Sequence, residues 1–116
     1  MENNPDLSRS EVIKLIAFSY RPVTLGGVNL QGLNLSGLHF LGTNVQGANL
    51  QGANLEGASL EGANLQSANL QSANLQSANL EGAKLQKANL RGANVTGANL
   101  IDANRSGANL SDMIGY

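Results

Sequence analysis

Ala63-Asn64-Leu65-Gln66-Ser67-Ala68-Asn69-Leu70-Gln71-Ser72-Ala73-Asn74-Leu75-Gln76-Ser77 is one five-residue phrase written three times. Ala and Leu in each phrase are separated by a single residue, so in an extended backbone both side chains point to the same side. The Gln-Ser pair that follows is polar and turns the chain. An α-helix has 3.6 residues per turn and would smear a five-residue period around its axis, leaving no apolar stripe to bury. A flat sheet needs strands longer than this. Short extended segments joined by corners wind into a tube instead, with neighbouring coils pairing their backbones at about 4.7–4.9 Å.

The period extends in both directions from this stretch. Residues 23–112 divide into eighteen fives with no insertion, centred on Leu25, Leu30, Leu35, Phe40, Val45 and every fifth residue to Leu110. Arg105 is the one centre that is not apolar. Ala stands two residues before the centre from Ala48 to Ala108, and Asn stands between them except at Thr24, His39, Ser59 and Lys84. Two residues after the centre comes Gly, or else Ser67, Ser72, Ser77, Lys87, Asp102 or Asp112. Because six L-residues occupy this corner, it is expected to hold φ < 0 there, with corner geometry varying or Gly chosen for close approach of coils.

These units resemble the pentapeptide-repeat family, whose motif is A(D/N)LXX. Ala48-Asn49-Leu50-Gln51-Gly52 and Ala68-Asn69-Leu70-Gln71-Ser72 are typical examples, and the resemblance covers residues 23–112. It implies an all-β fold, a right-handed quadrilateral parallel β-helix with four units per coil and about 4.5 coils, about 21 Å long at sheet spacing. Residues twenty apart then stack, the interior fills with Leu and Ala columns, and no cavity remains for a small-molecule substrate. Asn side chains are expected to stack as amide ladders from coil to coil. The Gln and Asn bias is similar to that of cyanobacterial members.

The ends differ from the middle. Residues 1–22 stand outside the repeat, 23–112 form it, and 113–116 follow as a tail. Ser8-Arg9-Ser10-Glu11 matches a capping box, with Ser8 as N-cap and Glu11 at the third helical position. Val12, Ile13, Ile16, Ala17 and Tyr20 share one helical face, and Pro22 closes the segment, so a short helix should cover the first coil. That coil carries Val23, Val28, Leu33 and Leu38 where later coils carry Ala, enough bulk to meet the cap. No such cap follows the last unit. Arg105, Leu110, Met113, Ile114 and Tyr116 mark that end as an association surface, and the resemblance implies end-to-end dimers there.

Composition narrows function by exclusion. The 116-residue chain has a formal net charge of −1, no Cys and only 3% aromatic residues, so it offers no thiolate metal site and no strongly basic patch for nucleic acid. Val12–Phe18 is too short to span a bilayer and is interrupted by Lys14, and a cytoplasmic protein is expected. His39 lacks the partners of a catalytic triad. Glu61 and Glu81 share a column with Leu41 and Ile101, but no cleft is expected at that face, so the column reads as an interaction surface for a protein partner. Lys84, Lys87 and Arg91 form the one basic cluster, and a neutralised surface is expected there. Some family members bind DNA gyrase by imitating duplex DNA. Over 21 Å a duplex carries about 12 charges, whereas Glu56, Glu61, Glu81, Asp102 and Asp112 against Lys84, Lys87, Arg91 and Arg105 leave one net negative charge. The reading is a non-enzymatic interaction or scaffolding module without cofactor, and a topoisomerase-binding DNA mimic is the alternative. Deleting residues 1–20 should lower the melting temperature and cause aggregation; unchanged melting and solubility would count against the cap.

Overall fold

The computed structural model describes residues 4–17 and 23–116. Fifteen parallel bridges join residues twenty apart, from Thr24–Asn44 to Asn94–Ile114. Twenty residues are four units, so each coil has four sides. We name them by their centres: face A carries Leu25, Val45, Leu65, Leu85 and Arg105; face B carries Leu30, Leu50, Leu70, Leu90 and Leu110; face C carries Leu35, Leu55, Leu75 and Val95; face D carries Phe40, Leu60, Leu80 and Leu100. Faces A and C are opposite, as are B and D. The pairing runs past the five-residue pattern, because Ile114 N donates to Ala93 O and Ile114 O accepts from Val95 N.

Three backbone bonds recur with the period. The centre N–H donates to the carbonyl nineteen residues on, as in Leu70 to Asn89 at 2.7 Å. The preceding residue donates twenty-one residues back, as in Asn69 to Ala48 at 2.9 Å. The corner residue donates to the next coil, as in Ser72 to Arg91 at 2.9 Å. A fourth bond closes the corner within the unit, as in Ala73 N to Leu70 O at 3.0 Å. Leu25 to Leu90 and Ala48 to Ala93 are buried at these positions, and each fully buried Leu stabilises the fold by about 1.5–3 kcal/mol.

The corners correct the expectation of φ < 0. All six L-residues there lie in the left-handed region: Ser67, Ser72, Asp102 and Asp112 at φ 58–59°, Ser77 at 57° and Lys87 at 61°, close to the 67° of Gly52. A turn closed by an i to i+3 bond with the third residue at positive φ is a type II turn, and that geometry is imposed by the coil whatever residue occupies it. Nor is Gly chosen for close approach, since a Cβ added at Gly52, Gly57 or Gly62 meets nothing within 4 Å.

The Asn column also differs from a simple amide ladder. All fourteen repeat Asn residues accept a hydrogen bond at Oδ1 from the backbone N–H two residues on, as Asn69 does from Gln71 N at 3.0 Å. This Asx bond fixes the start of each corner. The bonds between coils run chiefly from Asn Nδ2 to the Gln or Glu eighteen residues earlier, at Asn49, Asn64, Asn69, Asn89 and Asn99. One Asn-to-Asn bond joins Asn49 to Asn29.

The cap is a helix, α1 (Arg9–Ala17). Its capping box forms: Glu11 N donates to Ser8 Oγ at 3.1 Å and Ser8 N donates to Glu11 Oε1 at 2.9 Å. The backbone and hydroxyl bonds from Ser8, with Lys14 nearby, lower the Glu11 pKa. Its contribution is therefore complete above the ordinary carboxylate range and is lost as pH falls through the lowered value. Val12 is buried in the core cluster, and Leu7 and Ile16 of the cap, like Val23, Val28, Leu33 and Leu38 of the first coil, are partly buried against that core. Ile13 and Ala17, expected on the buried face, are exposed. The coil end is narrow and meets only the stripe through positions 12 and 16. Tyr20 and Pro22 lie outside the described residues.

The cap also supplies what a preceding coil would. Asp6 N donates to Asn29 O at 2.6 Å, and Asp6 Oδ2 accepts from Asn29 N at 2.8 Å. Arg9 donates through Nη1 to Asn34 O at 2.7 Å and through Nη2 to Ser36 O at 3.2 Å. These four groups are ones that the repeat bonds to an earlier coil, and leaving such backbone groups unpaired is costly. The corners yield a paired test by urea denaturation. Gly52→Ala should destabilise by about 1–2 kcal/mol although there is room for the methyl group. Ser72→Gly should stabilise by less, because glycine's freedom in the unfolded chain offsets part of the relief.

Candidate functional site

With the interior filled, the groups free to meet another molecule stand on the outside and at the last coil. Leu41, Glu61, Glu81 and Ile101 form one column on face D, each directly after its centre. The column is held by corner bonds from Gly42 N to Glu61 O, Gly62 N to Glu81 O and Gly82 N to Ile101 O, at 2.9–3.0 Å. Leu41 is 64% exposed and Ile101 63% exposed, so two apolar side chains bracket two carboxylates on a rigid face. Glu61 is exposed, while Glu81 is half-buried and accepts from Asn99 Nδ2 at 3.3 Å.

The last coil is less covered. Leu100, Leu110 and Met113 are partly buried, whereas Ile114 and Tyr116 are exposed. Arg105 belongs to the inner column and is its last member among the described residues. Its guanidinium donates to Tyr116 Oη and lies 5.4 Å from the centre of the Tyr116 ring. Tyr116 follows Ile114 on the side opposite Arg105, so the pair reaches across the end. Gly115 is required there, because a Cβ would collide with Thr96. Among the described residues the amides of Leu100, Arg105 and Leu110 have no backbone partner.

The solenoid charges divide unevenly among the faces. Glu56 lies on face C, Glu61 and Glu81 on face D, and Asp102 on the corner after D. Lys84 and Arg105 lie on face A, Lys87 on the A–B corner and Arg91 on face B. The three Glu are therefore on faces C and D and the cations on A and B, while Asp102 stands at the D–A corner and Asp112 at the B–C corner, where its Oδ2 is 3.5 Å from Arg91 Nε in an exposed pair. A net charge near zero conceals four positive charges on faces A and B, three negative charges on faces C and D, and one Asp at each of the two corners between them. Exposed pairs of the Arg91–Asp112 kind contribute little.

Lys84 also breaks the local bonding rule. An Asn there would bond Gln86 N and reach Gln66. Lys84 does neither and is exposed, and the Gln86 side-chain oxygen beside it is buried without a hydrogen-bond partner among the described residues. His39 is exposed and takes the Asn position opposite Ser59 in the ladder. Among the described residues no group of three or more His, Cys, Asp or Glu is placed to hold a metal ion, and no helix is long and apolar enough to cross a membrane.

The geometry defines a parallel β-helical solenoid, and the comparisons give its family. The pentapeptide-repeat model matches in eight copies over residues 24–62, 46–82 and 78–112, and the chain belongs to the pentapeptide-repeat family. Its β-helix is right-handed, as in the solved members. No curated relative matches. The pentapeptide repeat protein Rfr23 from the cyanobacterium Cyanothece 51142 is 40% identical with a TM-score of 0.79, over 84% of this chain and 67% of that one. A pentapeptide repeat protein from the Arabidopsis thaliana thylakoid lumen is 29% identical with a TM-score of 0.78, over 93% and 70%. HetL of the cyanobacterium Nostoc, involved in heterocyst differentiation regulation, is 37% identical with a TM-score of 0.62, over 79% of this chain and 40% of its own.

Lys84→Asn should raise stability by about 0.5–1.5 kcal/mol by restoring the Asx bond to Gln86 N. Thermal unfolding checks this, and a lower melting temperature would show that Lys84 serves the fold.

Proposed function

We infer that the chain is a non-catalytic protein-interaction module, working in the cytoplasm, with the face D column as a docking surface. The observation that carries this reading is the exposure of Leu41 and Ile101 on either side of Glu61 and Glu81. Exposed apolar groups rimmed by charge on a rigid face mark contact sites. Pentapeptide-repeat proteins are generally structural or interaction modules. The buried Leu and Ala columns leave the solenoid interior to packing, so chemistry has no enclosed place to act. The partly covered last coil, with Leu110, Met113, Ile114, Tyr116 and Arg105, suits contact between copies.

The spread of charge disfavours the DNA-mimic alternative. A duplex is anionic all round, whereas this solenoid is cationic on its A–B side. At low micromolar protein, gyrase supercoiling should proceed unchanged, and inhibition would reverse that ranking. Replacing Leu41 and Ile101 together by Ser should abolish capture of a specific protein from the native host while leaving the melting temperature within about 1 °C of the unaltered chain, as surface changes usually do. Retention of the same bound proteins by the variant would overturn the assignment of this column.

A further inference from the structure

The corner between faces A and B departs from the repeat at three positions in two adjacent units, at some local cost. Lys84 forgoes the Asx bond and the coil-to-coil amide bond of its column. Lys87 takes φ 61°, a left-handed conformation that costs an L-residue about 1–2 kcal/mol and that Gly would adopt freely. It is also the one long side chain among the solenoid corners. Arg91 replaces the Gln that precedes it in its column at Gln31, Gln51 and Gln71. All three are exposed, and apart from the weak exposed contact of Arg91 with Asp112 they make no ion pair among the described residues. Three cations are thus placed around one corner, within eight residues of sequence, where the repeat's own residues are neutral. Breaches of a local rule that return nothing to the fold are the expected mark of a functional surface.

We propose that the Lys84–Lys87–Arg91 corner is a second docking surface, which takes an acidic, extended protein segment. Its charge is opposite to that of the face D column, so the solenoid presents two sides of unlike specificity and goes beyond the single surface inferred above. A protein is favoured over nucleic acid by the surroundings. The flanking columns on faces A and B are Asn and Gln amides, which can donate to and accept from a peptide backbone. Among the described residues of the repeat, faces A and B carry no aromatic side chain as a platform for stacking bases. Three cations fall short of the six to ten phosphate contacts that give duplex binders their affinity. Carboxylates spaced along an extended chain match a small cationic corner and gain on-rate from it.

The test uses the full chain and a fluorescein-labelled peptide of alternating glutamate and serine, followed by anisotropy. Binding should weaken about tenfold in Lys84→Asn/Lys87→Gly/Arg91→Gln and should weaken similarly as salt screens the corner. Leu41→Ser/Ile101→Ser, which alters only the other side, should bind the peptide as the unaltered chain does; failure of one surface is thereby separated from failure of the other. The triple variant restores repeat-type residues at positions 84, 87 and 91, so its melting temperature should hold or rise. Equal peptide binding by the triple variant overturns the proposal. A drop in melting temperature does so as well, because the three residues would then be structural. So does tighter, corner-dependent binding of a thymidine oligonucleotide of equal length, which would make the surface one for nucleic acid.

Discussion

The structure depends on one hydrogen bond: the centre N–H donating to the carbonyl nineteen residues further on, at 2.6–2.8 Å from Leu25 to Val95. Its reciprocal, from the next-to-centre N–H twenty-one residues back, locks neighbouring coils to a register of twenty. Together they require four equal sides. The uniform left-handed corner follows, because four sides of five residues close only if every corner turns alike. Buried Leu and Ala columns follow too, since the register stacks like on like. The chain accepts left-handed Ser, Asp and Lys rather than change the corner, and the cap uses one Asp and one Arg to imitate the bonds of a coil that is not there.

Most of the fold was legible because a five-residue period has few physical solutions. The apolar residues at alternate positions, the corner after each centre and the capping box at Ser8 each follow from local chemistry. What the sequence did not disclose was set by closure. Six L-residues at the corner suggested φ < 0, yet the turn between registered coils admits one geometry and overrides the preference of Ser67 or Lys87. Asn seemed suited to ladders of stacked amides, but its side chain is short and close to its own backbone, so the Asx bond two residues on wins. Asp6 and Arg9 belong to no pattern, and nothing in the sequence pointed to the first coil's free carbonyls and amides as their targets.

For the candidate surfaces the pattern was sound where columns were followed and weak where charges were merely totalled. Leu41, Glu61, Glu81 and Ile101 share a column because they are twenty apart. Treating Lys84, Lys87 and Arg91 the same way places them on faces A and B, away from the face D column of Glu61 and Glu81. In a solenoid, proximity in sequence says little about neighbourhood, and position modulo twenty says almost everything. Function therefore concentrates in the exceptions to the repeat, since the regular residues are committed to the coil.

Backbone register in units of five holds the molecule together, with side chains filling the space that register defines. Two insertions after Ser72 compare this directly by thermal unfolding: one further Ala-Asn-Leu-Gln-Ser unit, and a single Ala. The five-residue insertion should keep a single cooperative transition near that of the unaltered chain, because every later coil still pairs. The single residue should abolish that cooperativity by putting each later centre out of step with its partner. Equal tolerance of both insertions would contradict it.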